Sequence, residues 1–77
     1  MESLLGKRVT VDQLDFSSAV RDGHPQQLKY TGIVDGVSNN MVRLVDCKMM
    51  LRDGANHIIG STWFNTMAHT FIAITPT

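Results

Sequence analysis

Two apolar runs joined by a short polar bend constrain the fold of this chain more than any other feature. The first run, Tyr30–Val37, is rich in aromatic and β-branched residues, and the second, Met41–Val45, is mostly apolar. Both compositions favour strands. The Ser-Asn-Asn sequence between them favours a tight turn, because Ser and Asn side chains hydrogen-bond their own backbone and Asn tolerates a left-handed conformation. The sequence therefore predicts a β-hairpin here.

Glycines interrupt the first of these strands at Gly32 and Gly36. A glycine inside a strand indicates a strong bend or the close approach of another backbone. Two such positions four residues apart predict a strand that curls enough for a small sheet to close on itself.

The rest of the chain supplies three more predicted strands and no helix of useful length. Alternating polar and apolar residues predict a first strand over Lys7–Leu14. A fourth is predicted over His57–Met67, bent at Gly60, and a fifth over Phe71–Thr75. Met1–Leu5 has room only for the stub of a helix. We therefore expect one all-β domain over residues 1–77, a small, strongly bent, five-stranded antiparallel barrel.

One connection is long for a small β protein. Ser-Ser, Asp-Gly and His-Pro pairs predict a loop over Asp15–Gln27, whereas hairpin connections usually have about 2 to 5 residues. This length predicts a loop that is either functional or mobile, and contact with a protein partner is one functional role for it.

The composition argues against several classes of protein. Seven basic and seven acidic residues give no net charge at pH 7, which is unlike a strongly electrostatic nucleic-acid binder. Cys47 is the only cysteine, so we expect no intrachain disulfide and a cytoplasmic location. The sequence contains neither a signal peptide nor an apolar run of membrane-spanning length, so no membrane partner is expected.

Catalytic and metal-binding patterns are also missing. The sequence has no nucleophile elbow and no phosphate-binding glycine loop. Its histidines, His24, His57 and His69, lack the spacing of a metal site. We therefore expect a protein that is not an enzyme and has neither a metal nor a cofactor.

Three segments resemble the signatures of the Sm and LSm proteins, which include bacterial Hfq. Leu5–Val11 (Leu-Gly-Lys-x-Val-x-Val) and Tyr30–Leu44 (Tyr-x-Gly-x-Val-x-x-Val-x-x-x-Met-x-x-Leu) are similar to the first signature. Met67–Pro76 is similar to the turn and closing strand of Hfq. The family's N-terminal helix is reduced here to a stub, and its first hairpin loop is shorter than Asp15–Gln27. The resemblance implies a homo-oligomeric ring of roughly five to eight copies, in which the fourth strand of one copy pairs with the fifth of the next.

The resemblance also implies RNA binding around the pore of that ring. The family's stacking position corresponds to Asn40, and its base-recognition positions to Ser38 and Val42, so the uridine pocket is mostly absent. His69 lies in the register of the turn histidine of Hfq. The predicted RNA-binding residues are Asn39, Asn40, His69, Lys7 and Arg43. In the alternative interpretation, the asparagines and the histidine belong to turns whose polar groups hydrogen-bond locally, and the cations belong to a solvated charged face.

The two predicted terminal strands also indicate self-association. The fifth has no charged residue and the fourth carries only His57, whereas unpaired strand edges are normally protected by charges. The predicted subunit interface consists of Trp63, Phe64, Met67, Phe71, Ile72 and Ile74. Packing in the chain's own core is the alternative role for the aromatic residues. The sequence thus predicts an Sm-like ring that binds RNA weakly or with altered specificity. The alternative is a protein-interaction or scaffold module that does not bind RNA and uses Asp15–Gln27.

Overall fold

A computed structural model describes residues 2–15, 26–50 and 54–77 of the chain. A single 3-10 turn at Glu2–Leu4 precedes five strands. These are β1 (Arg8–Asp15), β2 (Gln26–Ser38), β3 (Met41–Met50), β4 (Asn56–Asn65) and β5 (Phe71–Pro76). They form one antiparallel sheet in the order β4-β3-β2-β1-β5. The predicted all-β class, the five strands and the reduced N-terminal helix are confirmed.

The hairpin between β1 and β2 is longer than the sequence predicts. Asp15 pairs with Gln26 and Leu14 with Gln27, so the predicted loop Asp15–Gln27 is too long at both ends. Polar residues at these positions continue the ladder because backbone hydrogen bonds need no apolar side chain. The remainder of the predicted loop, residues 16–25, lies outside the described residues.

The fourth strand ends earlier than the predicted Met67. Its last residue is Asn65, whose side-chain Oδ1 accepts a hydrogen bond from the backbone N–H of Met67 at 2.9 Å. An Asn side chain that bonds the backbone two residues later forms a turn and ends the strand.

The core lies on one face of the sheet, where alternate residues of the central strands point inward. Along β3, Val42 and Leu44 are buried, whereas Arg43 between them is half-exposed. The ring of Tyr30 meets the buried ring of Phe64 edge to face, with the centroids 5.0 Å apart. The buried cluster consists of Val9, Val11, Val34, Val42, Leu44, Cys47 and Phe64.

Two backbone hydrogen bonds reveal how strongly the sheet is bent. The N–H of Thr66 donates to the carbonyl of Asn40 at 2.8 Å, and the N–H of Leu14 donates to the carbonyl of Thr70 at 2.7 Å. Four residues of chain reach at most about 14 Å, so Asn40 and Leu14 lie within about 20 Å of each other. Leu14 pairs with Gln27, and in a flat sheet the stretch of β2 from Gln27 to Asn40 would separate them by about 43 Å. The sheet must therefore curl.

The bend follows a row of residues that crosses the middle of the sheet. Gly32 on β2 lies opposite a register shift in β3, and Cys47 on β3 pairs with Gly60 on β4 between two further shifts. Asp46 and Gly60 take positive φ angles of 52° and 90°. Extra residues in a ladder increase its twist and bend, and here they are aligned across three strands.

The two glycines of β2 contribute differently to this arrangement. A Cβ atom on Gly32 would lie 3.0 Å from the carbonyl oxygen of Val45 and 3.1 Å from the Cβ of Leu44. A Cβ on Gly36 would instead meet Cη2 of Trp63 at 3.3 Å. Gly32 therefore allows β3 to approach at the bend, and Gly36 makes room for an indole ring on the outer face.

Candidate functional site

The sheet has two open edges, and these are the first candidate site. Among the described strands β4 hydrogen-bonds only to β3, and β5 only to β1. Neither edge strand contains Asp, Glu, Lys or Arg, and His57 is the only titratable residue in either. Natural edge strands are usually protected by charge, proline or a covering segment. β5 has a proline only at its last residue, so both edges are suited to pair with another strand.

Exposed apolar side chains concentrate on the same two strands. Ile58 on β4 is 83% exposed, more than any other large apolar residue of the described chain. The edge strands carry four such side chains: Ile58, Ile59, Trp63 and Ile72. Exposed apolar groups of this kind are a common feature of surfaces that bind another chain.

The six predicted interface residues fall into two groups in the structure. Three are exposed and accessible to another chain: Trp63, Met67 and Ile72. The other three pack in or against the chain's own core: Phe64, Phe71 and Ile74. Phe64 is only 5% exposed, so it has little surface left for a neighbour. Sequence reasoning missed Ile58 and Ile59, although two isoleucines in an uncharged strand beside a glycine were a usable signal.

The two turns at one end of the sheet form the second candidate site. Both the backbone N–H and the side-chain Oγ1 of Thr66 donate to the carbonyl of Asn40, at 2.8 and 2.9 Å. Asn39 takes a φ of 52°, the left-handed conformation predicted for this turn. Asn39, Asn40 and His69 are exposed. We call residues 39–40 and 66–70 the turn cluster, and it contains three of the five predicted RNA-binding residues.

The other two predicted RNA-binding residues lie outside the turn cluster. Lys7 precedes β1, where its carbonyl accepts a hydrogen bond from the N–H of Val34 at 3.0 Å. Arg43 lies in β3, where its guanidinium pairs with the Asp35 carboxylate and stacks on the indole of Trp63. The structure thus places these two cations on the strands or beside them and not within the turn cluster.

Positive charge on the described surface is largely balanced by nearby carboxylates. Three of the five described basic side chains form ion pairs: Arg8 with Asp46 at 3.3 Å, Lys29 with Asp12 at 3.8 Å, and Arg43 with Asp35. Exposed pairs of this kind add little stability. They do reduce the charge available for phosphates, and within the described ranges only Lys7 and Lys48 make no ion pair.

Cys47 is buried in the core and is not placed for chemistry. Burial, and to a smaller extent the Asp46 carboxylate, raises the pKa of its thiol above the ordinary value. A buried protonated thiol is a poor nucleophile and a poor metal ligand. The described residues contain no group of three or more His, Cys, Asp or Glu side chains that could hold a metal ion. In those ranges no helix has the length and apolarity needed to cross a membrane.

Comparison of the chain with protein-family models, curated proteins and solved structures found no match. The class of protein is therefore defined by the fold, a single bent five-stranded antiparallel sheet whose two edge strands are uncharged and have no further strand partner among the described residues.

Proposed function

We propose that this chain is an Sm-like protein that assembles with copies of itself into a closed ring and presents the turn cluster to single-stranded RNA. The observation that carries the proposal is the pair of uncharged edge strands, β4 and β5, at the two margins of one bent sheet.

Head-to-tail pairing of the two margins accounts for their composition. Each copy has one β4 edge and one β5 edge, so joining β4 of one copy to β5 of the next leaves no edge open once the ring closes. The exposed side chains of Ile58 and Ile72 would then meet apolar neighbours instead of water. Because the two joined surfaces differ, each contact leaves both partners able to bind a further copy.

The turn cluster supports the RNA part of the proposal. Its exposed amides and imidazole, on Asn39, Asn40 and His69, are groups that hydrogen-bond the edges of unstacked bases. A ring repeats the cluster once per copy, so individually weak contacts gain strength through multivalency. The local ion pairs predict binding that depends only weakly on salt, since few counterions are released.

The balanced surface charge also favours a second candidate, a scaffold that binds a protein instead of RNA. Residues 16–25 connect β1 to β2 and are the segment we would delete to test it. If the protein without these residues still assembles but no longer captures its protein partner, the result supports the scaffold. Retained capture argues against a role for this segment.

Light scattering coupled to size separation tests the assembly. A ring of roughly five to eight copies of the 8.6 kDa chain has a mass of about 43 to 69 kDa. Ile72→Lys places a charge on the β5 edge and should shift the protein toward monomer. Leu5→Lys is the matched control, because Leu5 is 49% exposed and Ile72 48%, but Leu5 is not in an edge strand. A wild-type monomer at micromolar concentration would refute the ring.

Fluorescence anisotropy with labelled U-rich and A-rich RNA tests the RNA part. We expect saturable binding that weakens severalfold in an Asn40→Ala, His69→Ala double variant, because both groups lie in the turn cluster. Absence of saturable binding by an assembled wild-type protein would remove RNA from the proposal and leave the scaffold.

A further inference from the structure

The outer face of the sheet carries an aromatic side chain held in one position, Trp63. The buried residues Val42, Leu44 and Phe64 point inward, so their neighbours Arg43 and Trp63 point outward. The two are register partners on β3 and β4, and Cζ of Arg43 lies 5.6 Å from the centroid of the indole. One face of the ring is therefore covered by a cation.

Two further contacts fix this stack. The Asp35 carboxylate pairs with the Arg43 guanidinium through its Oδ2 atom. Gly36 lies opposite Arg43 and makes room for the indole, since a Cβ there would be 3.3 Å from Cη2 of Trp63. Arg43 Nε is buried within this arrangement and has no hydrogen-bond partner in the described chain. The indole is thus preorganised, yet Trp63 remains 46% exposed.

Assembly through the strand edges would leave this surface open. Strands pair in the plane of the sheet, whereas side chains stand roughly perpendicular to it. A neighbouring β5 would cover the backbone edge of β4 and border the indole without covering its outer face. The role of Trp63 is therefore separable from that of Ile72.

We propose that Trp63, Arg43 and Asp35 form a binding site for an amino-bearing nucleobase (adenine, cytosine or guanine) of a single-stranded nucleic acid. The inference rests on the proposed function for the nature of the ligand, but it uses a different surface. The free face of the indole stacks on the base, and the Arg43 cation behind it favours an electron-rich partner.

Asp35 supplies the preference among bases. Its Oδ1 atom accepts no hydrogen bond within the described chain, and the side chain is partly exposed. A carboxylate accepts hydrogen bonds from an exocyclic amino group, as Asp and Glu do from cytosine N4. The Watson–Crick edge of uracil has only one N–H, and this group lies between two carbonyl oxygens that a carboxylate repels. The ion pair with Asp35 also makes Arg43 a poor phosphate partner, so the site selects for the base and not for the backbone.

Trp63 is the only tryptophan in the chain, so its fluorescence reports directly on this site. Short single-stranded homopolymers of adenine, cytosine and uracil are the probes. We expect saturable quenching by the adenine and cytosine oligomers at about tenfold lower concentration than by uracil. Asp35→Asn should retain quenching and lose the preference. Asp46→Asn makes the same charge change at a carboxylate that pairs with Arg8, outside both candidate RNA sites, so it is the matched control and should leave both unchanged.

Several results would overturn the inference while leaving the proposed function intact. One is RNA binding by anisotropy with no change in Trp63 fluorescence. Another is equal quenching by all three oligomers, and a third is an emission spectrum that shifts with protein concentration but not with oligomer, which would mean that another copy covers the indole. Conversely, base-selective quenching of a protein that light scattering finds monomeric would support this site and refute the ring.

Discussion

Replacing Gly32 with alanine tests whether the bend of the sheet depends on the close approach of β3. The added Cβ would lie 3.0 Å from the carbonyl oxygen of Val45, 3.1 Å from the Cβ of Leu44 and 3.2 Å from the Cα of Cys47. Ordinary contacts between carbon atoms are about 3.5 to 4.0 Å. All three atoms belong to the backbone or to the base of a buried side chain, so none can rotate away.

The expected cost follows from these distances. Overpacking of a well-packed core typically costs about 1 to 3 kcal/mol. Alanine also reduces the freedom of the unfolded chain, which offsets about 0.4 to 1 kcal/mol. We therefore expect Gly32→Ala to lower the free energy of unfolding by about 1 to 2 kcal/mol. For a chain of this length each kcal/mol lowers the melting temperature by about 4 to 8 °C.

Gly36→Ala is the matched control. Its Cβ would meet Cη2 of Trp63 at 3.3 Å and the Cβ of Arg43 at 3.6 Å, and the indole is the half-exposed end of a side chain that can move. We expect a change within about 0.5 kcal/mol, as for most surface substitutions.

Urea unfolding, followed by far-ultraviolet circular dichroism at one protein concentration, measures both variants. The dependence of the free energy on urea should be unchanged, since both variants bury similar surface. A Gly32→Ala protein as stable as wild type, or a larger loss for Gly36→Ala, would refute the assignment of the bend to Gly32.

Three more predictions concern stability and its pH dependence. Leu44→Ala leaves a cavity in the core and should lower the free energy of unfolding, measured with urea, by about 2 to 5 kcal/mol. A loss as small as that for an exposed residue would contradict the burial of Leu44. Thr66→Val removes one hydrogen bond to Asn40 and should cost about 1 kcal/mol in the same assay, whereas no loss would mean that the hydroxyl does not join the turns. Because folding raises the pKa of the Cys47 thiol, the protonated thiol favours the folded state. This contribution to the free energy of unfolding is fully present below the thiol pKa of the unfolded chain, near 8.5, and is lost as the pH rises through the pKa of the folded protein. The urea midpoint should therefore decrease as the pH rises above about 8.5, and it should decrease less in Cys47→Ala. The same decrease with pH in both proteins would contradict this.

The hairpin of β2 and β3 illustrates what local sequence can predict. Its strands follow from β-branched and apolar composition, and its turn from Asn residues that accept a left-handed backbone, as the φ of Asn39 confirms. These preferences act within a few residues, so no distant contact was needed to recognise them. The end of β1 at Asp15 was missed, because the ladder with Gln26 depends on a partner strand and not on side-chain pattern.

The candidate site was less predictable because it combines distant residues. The sequence named Asn40 and His69, but only the fold joins their turns through Thr66. It also named Arg43 and Trp63 separately, one for RNA and one for an interface. Their contact depends on the register between β3 and β4 and on the space above Gly36.

By itself the amino-acid sequence determined the number and approximate positions of the strands, the asparagine turn and the lack of charge on the edge strands, since each is a property of adjacent residues. Only the tertiary structure decided that Phe64 is core while its neighbour Trp63 is exposed, and that Gly32 rather than Gly36 meets a backbone. The physical reason is that burial depends on which face of a curled sheet meets the interior, and the curl arises from bulges aligned across three strands.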